Sequence, residues 1–295
     1  MSLRRCLGLL AALCAFAAAL PAGAAQIHSE RSLYRNLFVV QDNDLRCLTF
    51  RRAAATERQT CKRMSQPDYL VFPYTRMMLG SLLVKPDPKR VLIVGLGGGT
   101  LPMTLRELFP DLTIDVVEID PAVTRVAEKF FDFKPDPKLS VHEEDGRVFV
   151  KKALRAGTKY DIVMLDAFED EYIPEHMSTR EFLLEVKQVL TADGVVAANT
   201  FSSNRLYPYE SATYESVFGT FYNLKLGNRI IYAQANKLVD RSVLETNAEK
   251  FEDFFEKRGF HPDWLLDMAS TERDWEKDTK ILTDQYSPSN ILNAR

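Results

Sequence analysis

The chain has 295 residues, of which 46% are hydrophobic and 27% are charged, and its formal net charge is −3. A chain of this length and composition can bury a full hydrophobic core, which excludes a disordered or fibrous protein. The slight excess of acidic residues also argues against a nucleic-acid partner, because such proteins usually present a basic surface.

The first 25 residues have the pattern of a secretory signal. Arg4 and Arg5 precede a long apolar run, which ends in a proline and several small residues. An uncleaved membrane anchor is the alternative, although the apolar run of residues 6–20 is shorter than the ~20 residues that usually span a bilayer. We therefore expect cleavage after residue 25, export to the periplasm, and no membrane attachment of the mature chain.

Removal of this signal leaves two cysteines, Cys47 and Cys61. An oxidising compartment would allow them to form a disulfide, and two buried free thiols are the alternative. The four histidines are His28, His142, His176 and His261. They are scattered, and no Cys or His spacing matches a metal site, so we expect structural histidines and no metal.

Residues 26–66 are predicted to form a small β-rich module, followed by a larger domain over residues 67–295. In the module, the pattern of residues 32–50 alternates and turns at Asp42-Asn43, as a hairpin would. The start of the larger domain, residues 69–84, has the apolar spacing of one helical face. The sequence PDPK then separates this helix from the rest of the domain.

Strand and helix patterns alternate over the following hundred or so residues. The predicted strands are VLIVG, LTIDVVEID, LSVHEED, YDIVMLD and VVAANT. The predicted helices include residues 100–108, a helix that Asp120 caps with Pro121 at its first position, and EFLLEVKQVL behind a capping box of Ser178 and Glu181. This order predicts a parallel sheet with helices on both faces.

A glycine-rich turn follows the first of these strands, in the sequence VLIVGLGGGT. Gly95, Gly97 and Gly99 would let a cofactor approach the backbone, and the next helix would offer free N–H donors, although many tight turns hold glycines for steric reasons alone. Glu118 ends the second strand, where an acidic residue accepts hydrogen bonds from ribose hydroxyls. The combination predicts a nucleoside-bearing cofactor, either a dinucleotide or S-adenosylmethionine.

Two strand-like runs flank Gly227-Asn228, which predicts a hairpin that adds an antiparallel strand at the sheet edge. A class I S-adenosylmethionine methyltransferase-like sheet ends this way, whereas a six-stranded dinucleotide fold does not. The predicted fold is therefore α/β: a Rossmann-like sheet of this class with a terminal antiparallel hairpin, preceded by the β-rich module. Residues 242–276 are predicted to be helical and to cover the core.

Taken together, these features resemble the polyamine aminopropyltransferases, or spermidine synthases, and especially their bacterial relatives with a signal peptide. The resemblance covers residue 30 to the C-terminus. It rests on the β-rich module and on VLIVGLGGGT, VVEIDPAV, the pair Asp145-Gly146, LDAFEDEYIP and ILTDQYSPSNIL. It implies transfer of an aminopropyl group from decarboxylated S-adenosylmethionine to a small amine, in a reaction of polyamine biosynthesis, by a homodimer.

The resemblance also implies roles for individual residues. Glu118 would hold the ribose, Asp145 and Gly146 would meet the adenine, and Pro174 would lie near the nucleoside. Asp166 matches the proton acceptor of the family, and a carboxylate there would orient and deprotonate the attacking amine.

The acceptor side of the site departs from the pattern of the family. The implied acceptor-binding residues are Tyr74, Thr100, Glu169 and Asp170. Of these, Thr100 stands where family members that make spermidine carry an Asp after the glycines, and Glu169 replaces a second loop Asp. Arg35 replaces the Gln of a Tyr-Gln pair and would repel a diamine if its side chain points inward.

Two alternatives to aminopropyl transfer stay open at this point. A methyltransferase that uses S-adenosylmethionine on the same scaffold is the first, and it is favoured by Thr100. A non-catalytic exported protein that binds a nucleoside or polyamine is the second, and it is favoured by export, because S-adenosylmethionine is made in the cytoplasm. Asp166 argues against the second alternative.

Overall fold

The computed structural model describes residues 24–51, 58–167 and 173–287. Its first part is a four-stranded antiparallel sheet in which neighbours in sequence are neighbours in space. The strands are β1 (Ala25–Arg31), β2 (Asn36–Asp42), β3 (Leu45–Thr49) and β4 (Arg58–Arg63). The β-rich module is therefore confirmed, and the predicted turn joins β2 to β3 with Asn43 at a φ of 51°, a conformation that asparagine tolerates well.

Of the two alternatives for the cysteines, the structure has the disulfide. Cys47 of β3 lies directly opposite Cys61 of β4, and the two residues are bonded. The bond therefore links two neighbouring strands of the module.

The helix predicted for residues 69–84 is shorter and is divided in two. Helix α1 (Pro73–Leu79) begins at Pro73, and α2 (Ser81–Val84) follows after Gly80. Proline suits the first helical position because its missing N–H has no partner there. A side chain at Gly80 would collide with the hydroxyl of Tyr232, so the glycine allows close packing against the large sheet.

Seven strands form the second sheet, in the order β10-β11-β9-β8-β5-β6-β7. They are β5 (Arg90–Val94), β6 (Thr113–Glu118), β7 (Leu139–Glu143), β8 (Tyr160–Leu165), β9 (Leu190–Phe201), β10 (Tyr222–Leu226) and β11 (Asn228–Gln234). Strands β5 to β9 are parallel, and β11 is antiparallel to both neighbours. The predicted fold class is confirmed, with one difference: the antiparallel strand β11 inserts between β9 and β10 rather than lying at the edge.

Helices pack on both faces of this sheet. They are α3 (Thr100–Leu108), α4 (Pro121–Phe130), α5 (Gly146–Arg155), α6 (Arg180–Val189), α7 (Tyr207–Phe218), α8 (Arg241–Lys250), α9 (Glu252–Lys257) and α10 (Asp263–Met268). Val91 and Ile93 of β5 pack against α1 to α4 and the C-terminal helices, whereas Leu92 and Val94 pack against α5 to α7. No helix in the described part of the chain is both long and apolar enough to cross a membrane.

The helix caps agree with the predictions in one case and not in the other. Asp120 accepts a hydrogen bond from the backbone N–H of Ala122 (3.0 Å), which confirms it as the N-cap of α4. The predicted capping box of α6 is wrong, because the cap is Thr179 and not Ser178. Ser178 instead follows the end of a short 3₁₀ turn (Glu175–Met177), and its hydroxyl donates to the carbonyl of Glu175.

Candidate active site

A cavity of about 370 Å³ lies where the N-terminal sheet meets the carboxyl ends of β5 to β9. In open α/β sheets this edge is the usual place for a ligand. Both sheets supply its walls, so the site depends on how the two parts of the chain pack together.

The glycine-rich turn forms the floor of the cavity. Gly95 has a φ of 102°, and a Cβ there would collide with the backbone carbonyl of Asp166. This glycine therefore allows the ends of β5 and β8 to approach each other. Gly97 also lines the cavity. Gly99 packs against the ring of Phe133 instead, and it is not one of the described residues that line the cavity.

Glu118 lies at the wall of the cavity, as the sequence predicts. Its carboxylate accepts hydrogen bonds from the backbone N–H groups of Leu96 (3.1 Å) and Asp120 (2.9 Å). Burial raises the pKa of Glu118, and these two hydrogen bonds act in the opposite direction. The carboxylate is thus held in a fixed orientation with lone pairs left for hydroxyl donors.

Asp145 and Gly146 line the same cavity at the start of α5. One oxygen of Asp145 accepts from the backbone N–H of Val148 (2.9 Å), and the other lies 2.8 Å from Nε2 of His176. The hydrogen bond from His176 is the main reason that the pKa of Asp145 is lowered. Pro174 and His176 complete this wall, so a histidine that the sequence analysis treated as structural belongs to the site.

Asp166 follows β8 and lies in the centre of the site. Its backbone N–H donates to the carbonyl of Val94 (2.8 Å), and its Oδ1 accepts from Nδ2 of Asn199 (2.8 Å). Asn199 is in turn held by Nδ2 of Asn228 (2.9 Å). Burial raises the pKa of Asp166 to about 7, with the Asn199 hydrogen bond acting against it. A carboxylate with this pKa is suited to accept a proton near neutral pH.

The two asparagines were missed by the sequence analysis. Asn199 lies near the end of β9, at the same edge of the sheet as Asp166. A polar residue near the end of an otherwise apolar predicted strand is the sequence feature that indicates a site residue at this position. Asn228 was assigned only to the hairpin turn.

Of the predicted acceptor-binding residues, Tyr74 lies in the cavity wall and Thr100 does not. The hydroxyl of Tyr74 donates to the backbone carbonyl of Gln59 (3.4 Å), and burial, together with the charge of Asp166, raises its pKa. Thr100 is the first residue of α3 and lines a separate surface pocket. Its hydroxyl is 3.4 Å from that of Thr60. Glu169 and Asp170 lie outside the described residues.

Two arginines of the N-terminal sheet complete the lining. Arg35 points inward, with its guanidinium 4.4 Å from the ring centre of Phe50, and its charge acts against the rise in the pKa of Glu118 that burial causes. Arg58 begins β4, and its Nε is buried without a hydrogen-bond acceptor among the described residues. Arg58 was missed by the sequence analysis, and its charge gives the cavity mixed polarity.

Comparisons with known proteins agree with this architecture. The model of the spermine/spermidine synthase domain matches residues 71–218. The chain is 45% identical over 271 residues to a polyamine aminopropyltransferase of Vibrio vulnificus, covering 90% of this chain and 91% of that protein. It is 28% identical over 247 residues to the human eEF1A lysine and N-terminal methyltransferase, covering 76% of this chain and 33% of that protein.

A solved structure shows the same fold. The crystal structure of a probable spermidine synthase from Corynebacterium glutamicum superposes with a TM-score of 0.67 at 18% identity. The match covers 87% of this chain and 96% of the other. Both the β-rich module and the large sheet therefore recur in a known protein.

Proposed function

The chain belongs to the spermine/spermidine synthase family and is a polyamine aminopropyltransferase, and we propose that its cavity binds decarboxylated S-adenosylmethionine and an amine side by side. The observation that carries the proposal is the convergence of Glu118, Asp145 and Asp166, which come from three different strand ends, on one cavity. Such a site positions two substrates for direct transfer, and positioning supplies much of the rate when the leaving group is already good.

The donor would lie along the edge of the large sheet. Glu118 would accept hydrogen bonds from the ribose hydroxyls, and Asp145 with Gly146 and Pro174 would contact the adenine. This arrangement is supported by the fixed carboxylate of Glu118 and by the shared lining of the four residues. The sulfonium would then lie near Asp166.

In the transfer step, the nitrogen of the amine attacks the methylene carbon bonded to the sulfonium sulfur. The carbon–sulfur bond breaks, its electron pair goes to sulfur, and methylthioadenosine leaves as a neutral thioether. The amine proton passes to the carboxylate of Asp166, whose pKa of about 7 makes it an acceptor at neutral pH. We propose that no metal takes part, because the sulfonium needs no Lewis acid to depart.

The test is the formation of methylthioadenosine from decarboxylated S-adenosylmethionine in the presence of a series of amines. We expect Asp166→Asn to lower the rate by about 100-fold or more, because a positioned general base typically contributes that much. Asp193→Asn, which alters a surface ion pair with Lys85, is the matched control and should leave the rate unchanged. Equal rates for the two variants would contradict the role of Asp166.

Methyl transfer is the second candidate, supported by the similarity to the human methyltransferase over 76% of this chain. The two reactions leave different products, since methyl transfer yields S-adenosylhomocysteine and aminopropyl transfer yields methylthioadenosine. Incubation with S-adenosylmethionine in place of its decarboxylated form, followed by chromatography of the nucleoside product, separates them.

We also propose that the protein is exported and forms a homodimer. Export is supported by the signal-like pattern of the first 25 residues and by the disulfide, a bond typical of oxidising compartments. The dimer is supported by exposed apolar side chains between β1 and β2, where Leu33 is 99% and Tyr34 is 50% exposed. Cell fractionation and light scattering test these two proposals separately.

A further inference from the structure

Among the residues that the structure describes, the cavity lining holds four carboxylates, those of Glu118, Glu144, Asp145 and Asp166, and also two guanidinium groups. A diamine carries two positive charges at neutral pH, and a guanidinium in the same cavity repels it. Arg35 and Arg58 both line the cavity. The charge of Arg35 acts on Glu118, so Arg58 is the guanidinium whose role remains to be explained.

We infer from the neighbours of Arg58 that it faces the end of the cavity where the amine would react. It adjoins Gln59, whose carbonyl accepts the hydrogen bond of Tyr74, and the charge of Asp166 in turn acts on Tyr74. Arg35 lies instead near Glu118, at the ribose end. An anion bound by Arg58 would thus belong to the acceptor end of the site.

The hydrogen bonding of Arg58 is incomplete in the part of the chain that the structure describes. Its Nε is buried and has no acceptor there. A buried donor without a partner is costly, and a charged one more so. A carboxylate of a ligand would satisfy this donor, because the guanidinium fork matches carboxylate geometry in a bidentate contact.

We propose that the acceptor is an amine that also carries a carboxylate, and that Arg58 binds this carboxylate while Asp166 receives the proton from the amine. The inference rests on the proposed aminopropyl transfer and narrows its acceptor from diamines to diamino acids. The bonds that form and break are those of the transfer step, and the carboxylate takes no part in them.

Two matched pairs of amines test the proposal: ornithine against 1,4-diaminobutane, and lysine against 1,5-diaminopentane. The members of each pair differ only by the α-carboxylate. Each compound is titrated calorimetrically into the full chain loaded with methylthioadenosine. We expect the amino acid of each pair to bind about 10-fold to 100-fold more tightly, as for a hydrogen bond to a charged group. Equal or weaker binding of the amino acids would overturn the proposal.

Variants then test whether Arg58 causes the preference for the amino acids. Arg58→Met should remove the preference for the amino acids, and Arg58→Lys should keep part of it, since lysine retains the charge but not the fork. Arg63→Met is the control, because it removes a positive charge from the same strand but outside the cavity lining. This variant should prefer the amino acids as strongly as the wild type does. A preference that survives in Arg58→Met would overturn the assignment even if the wild type prefers amino acids.

The donor is the other possible source of a carboxylate. S-Adenosylmethionine and its decarboxylated form are therefore titrated into the unloaded chain. Tighter binding of S-adenosylmethionine that is lost in Arg58→Met would assign the carboxylate to the donor and overturn the proposal. If neither methylthioadenosine nor either donor binds, aminopropyl transfer itself fails, and the amine pairs, titrated into the unloaded chain, still decide whether Arg58 selects a carboxylate.

Discussion

Replacing the proposed proton acceptor should make the protein more stable while it removes the activity. Asp166→Asn keeps the size of the side chain, and the amide oxygen can still accept the hydrogen bond from Asn199 that is 2.8 Å long in the structure. The substitution removes a carboxylate whose charged form lowers the stability of the folded state, because it is buried in the cavity wall. Functional residues often reduce stability in this way.

The size of this effect follows from the pKa. Burial raises the pKa of Asp166 from its ordinary value of 3.8 to about 7. The folded state therefore binds a proton that the unfolded state has already lost between these two pH values, so the free energy of unfolding falls as the pH rises from 4 to 7. Each pKa unit of this rise corresponds to about 1.4 kcal/mol of lost stability, and water in the open cavity reduces the loss. Above pH 7 the charged Asp166 therefore lowers the free energy of unfolding by about 2–4 kcal/mol.

The assay is urea unfolding of the wild type and Asp166→Asn, followed by tryptophan fluorescence between pH 4 and pH 8.5. The difference in the free energy of unfolding should be near zero at pH 4 and should grow to about 2–4 kcal/mol in favour of the variant at pH 8. Other titrating groups cancel because they are present in both proteins. A difference that does not change with pH, or a less stable variant at pH 8, would refute the reasoning.

Four further substitutions test other parts of the structure. Glu118→Gln removes the charge of the proposed ribose ligand, and we expect methylthioadenosine to bind about 10-fold more weakly in a calorimetric titration; unchanged affinity would place the ribose elsewhere. Gly95→Ala, at a φ of 102°, would push the catalytic aspartate away and should abolish methylthioadenosine formation. Gly157→Ala, also at positive φ but with no atom within 4 Å of the added Cβ, should lower the free energy of unfolding by about 1–2 kcal/mol and leave activity intact; equal activity losses would show that backbone strain alone is responsible. Glu210→Ala leaves Arg229, which is 0% exposed, without its counter-ion, and urea unfolding should show a loss of about 3–5 kcal/mol; a loss below about 1 kcal/mol would mean that other groups compensate the charge.

The sequence predicts best the features that depend on a few neighbouring residues. Asp120 and Pro121 begin α4 as expected, because an N-cap and a proline act on the first turn that follows them. Gly227 forms the turn between β10 and β11 with a φ of 71°, a conformation that glycine adopts without strain. The positions of Glu118 and Asp166 at strand ends follow from the same local patterns.

Features that depend on distant residues were predicted poorly. Ser178 and Thr179 are equally suitable as caps of α6, and the structure selects Thr179, whose hydroxyl donates to the carboxylate of Asp284 (2.7 Å), far along the chain. The contact of Asn199 with Asp166 likewise requires β9 to pair with β8. Arg58 enters the site only because β4 packs against the large sheet.

The walls of the cavity come from two different parts of the chain. The strand ends of the large sheet supply Glu118, Asp145 and Asp166, whose positions are fixed by backbone hydrogen bonds within that sheet. The N-terminal sheet supplies Arg35 and Arg58.

Leu37, Val39 and Leu48 of the N-terminal sheet pack into the core of the large domain, and at least three polar contacts between the two parts lie outside the cavity lining. Ser32 donates to Asp120 (2.6 Å), Arg125 pairs with Glu30, and Lys62 pairs with Asp132. Substitutions on the inner face of this sheet can therefore alter the charge that meets the acceptor without moving the carboxylates that hold the donor and accept the proton. On this argument, Arg58 of the N-terminal sheet can contribute to the proposed selection of the amine, together with Tyr74 and Asp166 of the large domain.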